Sequence, residues 1–283
     1  MPELPEVEVT KRGMAAKITG QVITSVTIRN HHLRWPIPAD LARRLKGATV
    51  QTVARRGKFI LIDCLKKETH GTLIVHLGMT GTFRVVERSE KLRTHDHVDL
   101  VFGDMIARFN DPRRFGAVLW HDPGKDGPIE SNRHLKQLGV EPFGPDFEGD
   151  LGGDLLFRES RGRTVAIKQL LLSGAVVVGV GNIYCSESLF RAGINPKVSA
   201  GRVSRPRYRR LAESIRRTLD LAIKAGGSTL RDFVGSDGAL GYFQQEYFVY
   251  GRAGLDCRVC GSTIKQLRQG QRSTFYCPRC QAR

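Results

Sequence analysis

Hydrophobic residues in the first 120 positions recur at every second place in short runs. Val22, Thr24, Val26 and Ile28 alternate with their neighbours, as do Val98, Leu100 and Phe102. Phe59 to Cys64, Thr72 to Leu77, Thr82 to Val86, Met105 to Phe109 and Gly116 to Trp120 are further β-rich runs. Alternation of this period buries one face of each run, and many short strands separated by turn residues predict a β-sandwich. A helix precedes it. Proline fits a first helical turn and carboxylates complement the N-terminal dipole, so Pro2, Pro5 and the acids Glu3, Glu6 and Glu8 read as a helix start, with Gly13 and Gly20 weakening or ending it. A second helix, Ala39 to Lys46, stops at Gly47.

Residues 122–154 carry Asp122-Pro123-Gly124 and Gly152-Gly153, turn signals that predict a domain boundary. Beyond it the period becomes helical, over Thr164 to Leu172, Ile183 to Arg191 and Ser204 to Ala225. The last of these places Leu211, Ile215, Leu219 and Ala222 on one stripe and ends at Gly226-Gly227. Residues 227–245, with Gly235, Gly238 and Gly241, read as a loop. The chain closes on Cys257-x2-Cys260 and Cys277-x2-Cys280, with sixteen residues between the pairs. That spacing suits tetrahedral Zn²⁺ on a hairpin, and a ribbon this short needs the metal for its folding energy. The expected class is therefore α+β and multidomain: a β-sandwich with a long N-terminal helix, a helical domain and a C-terminal zinc-ribbon hairpin.

Charge narrows the function. Forty-five Lys and Arg face 28 Asp and Glu, a net charge of +17, which points to a polyanionic partner. No apolar run reaches the roughly 18 residues a bilayer span requires. Cys64 and Cys185 stand alone in apolar or helical contexts and read as reduced, packed thiols of a cytosolic protein.

Several short motifs carry chemistry. Pro2, freed of Met1, would be a secondary amine whose attack on an aldehyde-level carbon gives an iminium ion, an electron sink. Glu3 and Glu6 share a helix face; one could serve as acid and base, or both could only complement the dipole. Arg55-Arg56-Gly57-Lys58 suits close approach to a phosphate, or, more plainly, a solvated turn. His76 to Gly81 and Asn110 to Gly116 read as loop tips whose Met79, Arg113 and Phe115 are of the types that wedge into a base stack, or that cap a core. Gly179-Val180-Gly181-Asn182 opens a helix and offers N–H groups to an anion. His95, His97 and Asp99 would share one strand face; structural hydrogen bonding is favoured there over a metal site.

Together these motifs resemble the formamidopyrimidine-DNA glycosylases, bacterial enzymes that excise 8-oxoguanine. The resemblance rests on Pro2-Glu3-Leu4-Pro5-Glu6-Val7-Glu8, the surroundings of Lys58, His-Leu-Gly-Met-Thr-Gly at 76–81, Asp-Pro-Arg-Arg-Phe-Gly at 111–116, Gly-Asn-Ile-Tyr at 181–184, Ser-Asp-Gly at 236–238 and the ribbon. It implies Pro2 as nucleophile, Glu3 as the acid at the sugar ring oxygen, and Lys58 as a phosphate contact that supports base release. It implies Met79, Arg113 and Phe115 as fillers of the void left by an extruded base, Asn182 and Arg272 as a phosphate clamp, and Lys168 as a further DNA-binding lysine. Cys257, Cys260, Cys277 and Cys280 would hold one structural Zn²⁺.

The implied partner is duplex DNA with oxidised purines, bound by a monomer in the bacterial cytoplasm. The expected domains are a catalytic sandwich at 1–130, a helix–two-turn–helix domain at 131–225, a lesion-capping loop at 226–245 and the zinc finger at 246–283. The related endonuclease VIII branch usually has Gly where this chain has Leu4. A catalytically inactive DNA-binding protein is the reading from a different class. Departures from the family pattern are Val9, the Leu172-Ser173-Gly174-Ala175 turn and Ala239-Leu240 after the Ser-Asp-Gly turn.

Overall fold

The computed structural model describes residues 2–227 and 247–282. The Ser236-Asp237-Gly238 turn and Ala239-Leu240, expected in the capping loop, lie outside the described residues. The chain divides into two compact units. One runs up to Lys136 and takes in the chain again from Ile223; the other contains Gln137–Ala222 and the C-terminal residues from 247.

The first unit begins with α1 (Leu4–Ile18), which runs through Gly13 and ends before Gly20. In chain order follow β1 (Ser25–Ile28), α2 (Leu41–Leu45), β2 (Thr49–Arg56), β3 (Phe59–Lys66), β4 (Thr69–His76), β5 (Thr82–Glu87), β6 (Asp96–Phe102), β7 (Met105–Asn110), β8 (Ala117–His121) and the short α3 (Pro123–Asp126). The strands form two antiparallel sheets, ordered β1-β6-β7-β5 and β2-β3-β4-β8. Ile60, Ile62, Leu73, Val75, Leu100 and Phe109 alternate into a shared core, closed by Val7, Met14 and Ile18 of α1. Strand β2 has no clean alternation and escapes sequence reading; its Val50 is buried while Gln51 and Thr52 are exposed. Arg55 and Arg56 therefore belong to a strand. Arg56 pairs with Phe59, so Gly57-Lys58 is a two-residue hairpin turn, and Gly57 at φ 58° supplies the left-handed first position such a turn requires.

The second unit contains α4 (Asp150–Ser160), α5 (Ile167–Ser173), α6 (Asn182–Arg191) and most of α7 (Arg205–Lys224), then the hairpin β9 (Lys265–Gln269) and β10 (Arg272–Tyr276). Helix α4 corrects the reading of Gly152-Gly153 as boundary punctuation. A Cβ on Gly153 would collide with the Arg209 backbone of α7, so glycine here permits two helices to cross closely. The ribbon has a small core of Val249, Cys257, Ile264, Phe275 and Cys277, completed by Phe190 of α6. It is thus folded onto the helical layer rather than trailing from it. Among the described residues no helix is long and apolar enough to cross a membrane.

Candidate active site and nucleic-acid clamp

Pro2 and Glu3 are buried at the start of α1, with Glu3 only 1% exposed. The Glu3 N–H donates to Glu6 Oε2 at 2.8 Å, closing a capping box across the first turn. Glu6 thereby serves the helix end. One turn on, Glu8 accepts from Arg55 Nε at 2.9 Å and from Arg12 Nε at 2.7 Å, and pairs with Lys11 at 3.0 Å. Burial acts to raise the Glu8 carboxyl, but the hydrogen bonds from Lys11, Arg12 and Arg55 outweigh it and hold the group below the usual carboxylate range. Arg55 Nη1 donates onward to the Gly57 carbonyl at 2.9 Å. The helix that carries Pro2 and Glu3 is therefore pinned to the turn that carries Lys58.

His76 joins this cluster and was missed as a site residue. It pairs with Phe59 across β3 and β4, their rings 4.7 Å apart, and its Nδ1 accepts the Gly78 N–H at 3.0 Å. Burial lowers its imidazole to about 4, and the charges of Lys58 and Arg34 act in the same direction. The ring is neutral at pH 7, and because Nδ1 accepts, its proton is on Nε2. The readable signal was its place at the end of a strand facing the Lys58 turn.

Met79, 37% exposed, and Phe115, 44% exposed, stand on two adjacent loop tips, and the exposed Arg113 guanidinium lies 4.8 Å from the Phe115 ring centroid. These side chains are not core caps. The shared face expected for His95, His97 and Asp99 does not form. His95 has φ 71° outside β6, and a bulge between Asp96 and Val98 breaks the alternation. His97 Nε2 instead lies 2.9 Å from the Asp111 carbonyl, and Asp99 takes a two-point contact from Arg108 at 2.9 and 3.0 Å.

In the second unit Asn182 opens α6, and its Nδ2 donates to the Ser273 carbonyl at 3.1 Å. Arg272, exposed, is the first residue of β10 and the neighbour of Ser273, so the two expected clamp residues are brought to one place. Lys168 departs from expectation. It is fully buried, and its ammonium donates to the Ser273 carbonyl at 3.0 Å, Thr274 Oγ1 at 2.9 Å and Ser186 Oγ at 3.3 Å. Here it braces α5 and α6 against β10 and presents no surface charge to DNA. Sequence could not signal this, because Lys is rarely buried. Glu187 of α6 was also missed. Its carboxylate, 4% exposed, accepts the backbone N–H groups of Phe248, Val249 and Tyr250 at 2.9, 3.0 and 2.9 Å, which ties the ribbon to the helix.

The sulfur atoms of Cys257, Cys260, Cys277 and Cys280 all lie within 4.8 Å of one another; Cys257–Cys280 and Cys260–Cys277 are 3.8 and 3.4 Å apart. Tetrahedral Zn²⁺ with bonds of about 2.3 Å sets its sulfurs about 3.8 Å apart, so the cluster fits that ion.

A sandwich with a prolyl-glutamyl helix start, and a helical unit carrying a four-thiolate hairpin, define a class of nucleic-acid enzyme to which comparison assigns the chain. Three family profiles match it in order: the formamidopyrimidine-DNA glycosylase N-terminal domain over 1–118, the H2TH domain of the same enzymes over 138–234, and a zinc finger found in FPG and IleRS over 254–283. The formamidopyrimidine-DNA glycosylase of Ralstonia nicotianae is 56% identical over 99% of this chain and 100% of its own length; that of Burkholderia thailandensis is 57% identical with the same coverage. The Lactococcus lactis FPG mutant G226P bound to DNA containing Fapy-dG superposes with a TM-score of 0.88 at 32% identity, covering all of both chains. MutM in complex with DNA containing carbocyclic 8-oxo-G gives 0.87 at 33%. The chain belongs to the formamidopyrimidine-DNA glycosylase family. Its four clustered cysteines hold one structural zinc.

Proposed function

We propose that this protein is a base-excision-repair DNA glycosylase and AP lyase that removes oxidised purines, 8-oxoguanine and formamidopyrimidines, from duplex DNA. Pro2, once Met1 is removed, attacks the anomeric carbon of the damaged nucleotide through its nitrogen lone pair, and the bond to the base breaks. Glu3 gives a proton to the ring oxygen as the sugar opens to the iminium. That cation acidifies the neighbouring carbon, whose proton loss expels the 3′ phosphate and then, by a second elimination, the 5′ phosphate. Lys58 contacts the lesion phosphate and supports base departure, with the neutral His76 as a further hydrogen-bond donor there.

Extrusion of a base from the stack costs a few kcal/mol. Met79, Arg113 and Phe115 offset it by filling the void, Arg113 facing the orphaned cytosine. Asn182 and Arg272 hold the flanking phosphates, Lys168 supports them from beneath, and the net positive charge supplies affinity without sequence preference. In this reading residues 1–130 carry the chemistry, 131–225 and 246–283 hold the duplex and 226–245 cap the lesion. The enzyme works as a monomer on the bacterial nucleoid, in the cytoplasm.

The observation that carries the reading is the burial of the Pro2-Glu3 pair at a helix start pinned to the Lys58 turn, in a chain that matches its relatives from end to end. Borohydride added during reaction with duplex DNA containing 8-oxoguanine opposite cytosine is expected to trap a covalent protein–DNA adduct. Absence of the adduct from chain shown by mass spectrometry to lack Met1 would refute the mechanism.

A further inference from the structure

The two loop tips that carry Met79 and Arg113–Phe115 meet at one carboxylate that the proposed chemistry does not use. Asp111 is fully buried. Its Oδ1 accepts the Thr80 hydroxyl at 3.0 Å and the Arg113 N–H at 3.3 Å, and its Oδ2 accepts the Gly116 N–H at 2.7 Å. Among the described residues, each of these bonds comes from one of the two tips. Its backbone is fixed as firmly: its N–H donates to the His95 carbonyl at 3.1 Å, and its carbonyl accepts from the Arg114 N–H at 3.2 Å and faces His97 Nε2 at 2.9 Å. The bulge between Asp96 and Val98 that breaks the His95–Asp99 face thus has a use, since it accompanies the turn of His97 toward this carbonyl. The tips also touch directly. A Cβ on Gly78 would stand 2.5 Å from the Gly116 nitrogen, so the peptides flanking Met79 and Phe115 are stacked without side chains between them.

We infer that Asp111 is a positioning residue, and that its bond to Thr80 makes Met79, Arg113 and Phe115 one rigid wedge whose stiffness governs extrusion of the base rather than chemistry at the sugar. The inference rests on the void-filling role proposed above for these three side chains. The physical reason is preorganisation. A wedge whose tips move independently loses conformational freedom on entering the stack, and that loss subtracts from the contacts it makes. A buried carboxylate with donors from both tips removes that freedom in the free enzyme, where burial also makes each bond costly to break. An abasic sugar, with no base to unstack, has little need of the wedge.

Thr80→Val deletes the hydroxyl at nearly constant volume, and Thr80→Ser keeps it. In single-turnover assays Thr80→Val is expected to slow excision of 8-oxoguanine opposite cytosine in intact duplex by about tenfold. Cleavage at a preformed abasic site should stay near the parent rate, and Thr80→Ser should behave as the parent on both substrates. Met79→Ala should slow excision, and adding Thr80→Val to it should cost less than the two single losses combined, because both act on one wedge. Equal slowing of both substrates by Thr80→Val, or full additivity with Met79→Ala, would overturn the inference. So would a parent-like Thr80→Val beside an impaired Met79→Ala, which leaves the void-filling reading standing. A parent-like Met79→Ala would remove that reading and the inference with it.

Discussion

The two units hold by different means the side chains proposed to act. In the first, Pro2, Glu3 and Lys58 sit on a helix end and a hairpin turn, backed by a large apolar cluster that extends from Val7 to Val118. The Glu8–Arg55 ion pair links helix to turn. In the second, Asn182 bonds to the Ser273 carbonyl beside Arg272, and that stretch of β10 is held by the buried Lys168 and by the metal-bound hairpin. The ribbon's own cluster is small, takes Phe190 from α6, and includes two of the zinc ligands. Position in the sandwich is thus a collective property of many dispersion contacts, while position in the ribbon depends on a few strong, separable bonds. The difference teaches where each unit is vulnerable.

Zinc removal should separate the units most. Both tryptophans, Trp35 and Trp120, lie in the first unit, so indole fluorescence reports that unit. Cys277→Ser is expected to abolish zinc retention and weaken duplex binding on the order of 100-fold, because structural zinc supplies the ribbon's folding energy. The urea unfolding curve followed by fluorescence should hardly move. A curve displaced as far as the binding constant would break the comparison.

A smaller effect is expected at Glu187. Exchange for Gln replaces a charged acceptor of three backbone N–H groups with a neutral one. The local stability of the ribbon junction should fall by about 2 kcal/mol, a rise of about 30-fold in amide exchange at Val249 and Tyr250. Unchanged protection at those amides would show that zinc and packing alone seat the ribbon.

The smallest effect belongs to the sandwich, at His76. The unfolded imidazole takes up its proton near 6.5, the folded one only near 4. Between those values the unfolded chain binds more protons, so stability is complete above the upper one and declines as pH falls toward the lower. The decline attributable to His76 should be on the order of 1–2 kcal/mol, allowing for its partial contact with solvent. His76→Gln should flatten the fluorescence-detected stability profile from pH 7 to pH 4.5. An equally steep profile in the variant would place the acid sensitivity elsewhere.

Much of this molecule was legible from local pattern. Alternation found most of the sandwich strands, proline and acids found the start of α1, and cysteine spacing found the zinc ligands. Failures came where a local signal had a distant cause. Gly152-Gly153 resembles a linker until α7 is seen pressing on it. Strand β2 is bulged and half exposed, so its alternation is blurred. Lys168 is expected at DNA from the resemblance alone, yet its ammonium is buried against Ser186 of α6 and Ser273 and Thr274 of β10.

The sequence by itself determined which reactive groups the chain carries: a proline at position 2, acids beside it, four cysteines at metal spacing, and a net positive charge suited to DNA. Those properties reside in residue types and short separations. Only the tertiary structure decided how the groups are held. Thr80 and Asp111 are 31 positions apart and Lys168 and Ser273 105 apart, yet each pair shares a hydrogen bond. Such bonds form because folding buries both partners at once, and a buried polar group must find a partner wherever the chain has brought one.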